Sequence, residues 1–139
     1  MIPGTAALTE ALIDLVAGVT AAPIGDGRPP VAGDPPYAIV YPIAAGGDTW
    51  GPDYVAPQVG ASIDYQITSV AVHRADVEAF ADAVRHAVLD RDGNGAFVNP
   101  MTVPGLVILD RELVAFGGVD EDRGVFNTPD QYRIHVVLA

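Results

Sequence analysis

Cysteine is absent from the 139 residues, and so is lysine. Without cysteine there is no disulfide, no thiol nucleophile and no thiolate-ligated zinc, although the lack says nothing about redox compartment. Without lysine, the amine of a phosphate-binding loop, a Schiff base and a lysine general base are all excluded. Positive charge is scarce: seven arginines face 18 acidic residues, for a formal charge of −11. A phosphate-backbone binder needs clustered Lys and Arg, so this balance argues against gripping nucleic acid and equally fits simple solubility. Long apolar runs are missing too, none nearing the roughly 18 residues of a membrane span. The start, Met1-Ile2-Pro3-Gly4, has neither the basic flank nor the apolar run of a signal peptide. A soluble, unexported protein is expected.

Apolar residues nonetheless make up 50% of the chain, and its length suits one domain with one core, residues 1–139. Fifteen Gly and twelve Pro cluster between the patterned segments, so long loops are expected. Thr5 can cap a first helix whose Leu8, Leu12, Leu15, Val16 and Val19 recur at helical spacing, with Gly18 near its stop. Ala21 to Pro36, with Pro29-Pro30 and Pro35-Pro36, reads as an extended linker over the surface. Tyr37 to Ile43 reads as a strand, apolar on both faces, whose Pro42 belongs at an edge or end.

The block from Ser62 to Leu89 carries most information. Ile63, Tyr65 and Ile67 alternate with Asp64, Gln66 and Thr68, a strand with one half-wet face that turns at His73-Arg74 into a helix. That helix places Val77, Phe80, Ala81, Val84 and Val88 on one stripe, and Asp76 and Glu78 suit its positive end. Strands at Gly105 to Ala115 and Gln131 to Ala139 follow, the last pointing Tyr132, Ile134, Val136 and Leu138 one way and Gln131, Arg133 and His135 the other. Phe116 to Asp130 between them reads as an exposed acidic loop containing Asp120, Glu121 and Asp122. The order α-β-β-α-β-β predicts an α/β (α+β) fold: a small, mixed, mostly antiparallel four-stranded sheet packed by two helices.

No catalytic or cofactor motif rises above background. Asp90-Arg91-Asp92-Gly93-Asn94-Gly95 matches the first half of a calcium loop, making Asp90, Asp92 and Asn94 candidate ligands. Met101 stands where the bidentate Glu belongs, and Pro100 and Pro104 preclude the exiting helix, so a helix stop and tight turn explain the segment as well. His73, His86 and His135 share no short ligand spacing. Ser62 and Ser69 sit in no nucleophile elbow. Gly25-Asp26-Gly27 and Gly46-Gly47 do not form a dinucleotide fingerprint. No cofactor is expected, and no enzyme.

The segment Pro36-Tyr37-Ala38-Ile39-Val40-Tyr41-Pro42, the Gly-rich spacer, and Tyr65-Gln66-Ile67-Thr68-Ser69-Val70 leading into Arg74 to Leu89 resemble the tail terminator proteins of long-tailed, siphovirus-type actinobacteriophages. Tyr132 to Leu138 fits the same layout. The likeness runs from about Leu8 to the end in layout, and over Tyr37 to Leu89 in residue texture. His73 departs from it, standing where a Thr or Ser cap is commoner.

The resemblance implies a virion structural protein: a hexameric ring on the head-proximal end of the tail tube that halts polymerisation and offers the head-joining surface. Its implied partners are further copies of itself, the major tail tube protein, a neck or head-completion protein and, less directly, the tape measure protein. It would reside in the virion tail, and in the host cytoplasm during assembly. DNA passes such a ring without being bound, and an acidic wall repels phosphates. Asp48, Asp53, Asp120, Glu121 and Asp122 are the expected channel or rim residues, and Trp50, Tyr54, Phe116 and Phe126 the expected interface anchors. Trp50 tucked onto the sheet edge is an equal alternative. A head-completion or stopper protein, and a cellular small-ligand-binding α/β module, are the rival functions.

Overall fold

The computed structural model describes residues 5–31, 34–43 and 60–138. In chain order its elements are α1 (Thr5–Thr20), β1 (Ile24–Asp26), β2 (Tyr37–Ile43), β3 (Gly60–Ala71), α2 (Arg74–Leu89), β4 (Leu106–Ala115), β5 (Asp120–Asp122) and β6 (Val125–Leu138). The expected α+β class holds, with six strands among the described residues instead of four. β1 lies within the stretch read as linker, and β5 with the start of β6 replaces the acidic loop. β1 and β5 have three residues each, too few to show a period, and the first six residues of β6 carry Asn127, Pro129 and Asp130, which read as a turn, so only the partner strands make these segments visible.

The sheet runs β1-β2-β3-β6-β4, with β5 also on β6. β1 pairs with β2 in parallel, and every other pairing is antiparallel. β1 covers β2 only from Ala38 to Val40, so Pro42 stands where its missing amide costs no ladder bond to β1. The long β3–β6 pairing, Gly60↔Val137 through Ala71↔Phe126, is the spine.

Both helices cover one sheet face. Leu8, Leu12 and Val16 of α1, spaced by four, and Val84 and Val88 of α2 meet Ala38, Val40, Tyr65, Ile67, Tyr132, Ile134 and Val136 in the core. Val19, expected on that stripe, is 45% exposed. α1 also passes Gly18 and ends at Ala21, whose φ of 55° is left-handed although it carries a Cβ. Pro23 follows too closely for a further helical turn. At α2 His73 takes the N-cap place in extended geometry without a side-chain bond, and Asp90 caps the other end through its amide to His86 O.

The opposite sheet face carries a net of polar cross-strand pairs. Arg133 grips Asp64 with two bonds of 2.7 and 3.1 Å, Gln66 donates to Tyr41 and Thr68, and Ser62 bonds His135. No described helix is long and apolar enough to cross a membrane.

Candidate functional site

The sheet ends at β4, whose residues Leu-Val-Ile-Leu-Asp-Arg-Glu-Leu-Val-Ala would point by turns to the two sheet faces in an unbroken ladder. Its register to β6 slips twice instead, from Ile108↔Val136 to Asp110↔His135 and from Leu113↔Tyr132 to Ala115↔Gln131. Leu109 and Val114 are the inserted residues. They stand 56% and 40% exposed, beside Val107 at 45% and Phe116 at 66%. An outer strand with apolar side chains in solvent is a pairing surface unless something covers it.

The first bulge has a second effect. Before it, odd-numbered β4 residues share the polar sheet face, and after it even-numbered ones do, so Asp110 and Glu112 join His135 there. Arg111 is turned inward and is 5% exposed. Its Nη1 donates to Val88 O at the C-terminal end of α2, and its guanidinium lies 4.3 Å from the Phe97 ring centre, with Arg91 4.0 Å from the same ring. Burial, aided by the nearby Arg91 charge, lowers the Arg111 pKa to about 10.

Where β4 leaves the sheet, Phe116 lies 4.1 Å beneath the Arg85 guanidinium. Arg85 Nε donates at 2.9 Å to Asp130, which is 2% exposed and accepts the Gly117 amide, also at 2.9 Å. Gly117 is obligatory, because a Cβ there would fall 1.9 Å from Pro129 O. Arg74, Glu78, Asp82, Arg85, Phe116 and Thr128 border a surface pocket of about 260 Å³. Thr128 Oγ1 and the Tyr132 hydroxyl are buried without a hydrogen-bond partner among the described residues. Burial also raises the Tyr132 pKa, and that of Tyr65, where the Thr9 hydroxyl bond works the other way.

Asp120, Glu121 and Asp122, expected in a loop, form β5, which pairs with Val125 to Asn127. Arg123 and Gly124, with φ of 55° and 81°, are the two central residues of the hairpin turn, and the left-handed geometry at both matches strand twist. All three acids are exposed. Phe126 is half-buried opposite Glu121. Phe116 and Phe126 therefore flank the acidic hairpin in the chain. Asp48, Asp53, Trp50 and Tyr54 lie outside the described residues.

The partial calcium motif folds as a closed turn. Asp92 Oδ1 accepts the amides of Asn94 and Ala96 at 2.8 and 3.1 Å, while the Asp90 carboxylate turns to His86 Nδ1 at 3.0 Å, raising the His86 pKa. Its two carboxylates thus serve different partners. Among the described residues, the trio able to offer three ligand atoms within 4.8 Å of one another is Asp110, Glu112 and His135. Sequence spacing missed it because Asp110 and Glu112 lie 23 or more residues from His135 and meet it only through the bulged register. The one available signal was the charged run Asp110-Arg111-Glu112 within a strand otherwise apolar.

No protein-family model and no curated protein sequence matches the chain. Solved structures do. A chain from the virion of a native gene transfer agent particle aligns over 100% of both chains, with a TM-score of 0.68 at 15% identity. A second solved structure aligns over 96% of this chain and 92% of its own, with a TM-score of 0.58 at 16% identity. At such identities the likeness establishes a shared fold.

Proposed function

We propose that this chain is a virion structural subunit, and more specifically a tail terminator. In this reading copies join as a hexameric ring on the head-proximal end of a tail tube, stop its growth and present the surface that meets the neck. The supporting observation is the end-to-end alignment with a chain of the gene transfer agent virion, together with the terminator-like segments of the sequence. The role is structural and involves no catalysis.

The surface suits the task. A ring needs two different patches on each subunit, because a head-to-tail contact repeats around an axis. The apolar edge of β4, with Val107, Leu109, Val114 and Phe116, supplies one of them. The hairpin bearing Asp120, Glu121 and Asp122 supplies an acidic rim, and a formal charge of −11 per copy keeps DNA moving through the ring without adhesion.

The test is molar mass by light scattering after gel filtration, for the protein alone and mixed with tail tube protein from the same genome. A hexamer, or a monomer that becomes a ring on tube ends, supports the reading. A protein that ignores tubes but binds a neck component makes it a head-completion or stopper protein. A monomer that ignores both, yet is stabilised by a small molecule, makes it a ligand-binding module.

A further inference from the structure

We propose that Asp110, Glu112 and His135 form a binding site for a divalent transition-metal ion of the zinc class. The ligand atoms come from adjacent strands, the carboxylates from β4 and the imidazole from β6. Three features suit an ion, beside the hydrogen bonds and ion pairs that the same groups make without one. The first is spacing. His135 Nε2 and Glu112 Oε2 are 3.2 Å apart. Two ligands each about 2.1 Å from zinc are separated by about 3.0 Å in octahedral and about 3.4 Å in tetrahedral coordination, so this pair already spans one coordination edge.

The second is the imidazole's other nitrogen. Ser62 Oγ lies 2.7 Å from His135 Nδ1. With an ion bound, the imidazole proton would sit on Nδ1 and donate to Ser62 while the Nε2 lone pair ligates, the arrangement that orients a metal-bound histidine. The third is Asp110. One of its oxygens accepts from Arg91 and from the Arg111 amide, at 2.5 and 2.8 Å, which fixes the carboxylate while its second oxygen remains for a cation. The side chains are open enough for an ion to enter, with Asp110 at 44%, Glu112 at 47% and His135 at 33% exposure. Water completes the coordination.

Nitrogen ligation selects the class. Calcium and magnesium take oxygen ligands, whereas imidazole with carboxylates suits zinc and its first-row neighbours. The bulge at Leu109 is then part of the site's construction, because an unbulged β4 would turn Asp110 and Glu112 away from His135.

The full-length protein, stripped with chelator, is titrated with zinc chloride by calorimetry, and with cobalt(II) followed by its visible d–d absorption. One zinc per chain is expected, with a rise in Tm, and with magnesium and calcium binding more weakly. His135→Gln and His135→Ala should each abolish the cobalt band, Glu112→Gln should weaken binding, and Ser62→Ala should weaken it by about 10-fold or more without abolishing it. Circular dichroism of the metal-free variants checks that they remain folded. Absence of zinc binding overturns the proposal. So does zinc binding that survives both His135 variants, or calcium binding as tight as zinc, since either places the ion on surface acids alone.

Discussion

Asp130→Ala is the sharpest probe of how the acidic hairpin is attached. Asp130 sits at 2% exposure where β4 leaves the sheet, joining α2 through Arg85 and the Phe116–Val119 connection through the Gly117 amide. Truncation strands both donors. Breaking a buried pair by removing one partner costs about 3–5 kcal/mol. Arg85 keeps its contact to Asp82, which is 64% exposed, so the lower figure of about 3 kcal/mol applies. With about 2.1 cal/mol/K of unfolding entropy per residue, 139 residues convert 1 kcal/mol into about 3.4 °C, and the expected fall in Tm is about 10 °C. Asp130→Asn keeps an oxygen for the Gly117 amide and loses only the charge, so it should cost less, about 1.5–3 kcal/mol. Urea unfolding and thermal melts followed by circular dichroism read both, with Asp120→Ala as an exposed control within about 0.5 kcal/mol of the parent. Arg85→Met combined with Asp130→Ala should show a coupling above about 1 kcal/mol. An Asp130→Ala protein within about 1 kcal/mol of the parent would refute the argument, because the carboxylate would then anchor nothing.

Three further outcomes follow from the same structure. Gly117→Ala must push its Cβ away from Pro129 O, 1.9 Å distant, and should cost about 1–3 kcal/mol in urea unfolding. Tyr132→Phe removes a buried hydroxyl that has no partner among the described residues and should stabilise by about 1 kcal/mol at neutral pH. Burial raises the folded pKa of Tyr132 above its ordinary value near 10, so the unfolded chain releases that proton first. Stability from this residue is therefore complete below about pH 10 and falls as pH rises beyond it, a decline that Tyr132→Phe should lessen in alkaline unfolding. Leu109→Asp, at a 56% exposed bulge, should leave stability within about 0.5 kcal/mol and prevent ring assembly on tail tubes, as seen by electron microscopy. Normal rings from that variant would remove the β4 edge from the interface.

Periodicity alone located the two helices and most of the long strands, and it chose the buried face of α2, of β3 and of the second half of β6. Leu8, Leu12 and Val16, the Ile63-Tyr65-Ile67 alternation and Tyr132-Ile134-Val136 all point inward as their spacing dictates, because burying apolar area is a local property of a repeating pattern. Composition likewise determined the acidic character and ruled out thiol and lysine chemistry. What only the tertiary structure decided lies where pairing overrides period. β1 and β5 are too short to carry a pattern and exist because β2 and β6 offer them hydrogen bonds. The slips at Leu109 and Val114 leave an ordinary-looking strand with its apolar residues in solvent, turn Arg111 inward and bring Asp110 and Glu112 to His135. A one-residue shift exchanges the two faces of a strand, and register is set by the partner strand, not by the strand's own residues.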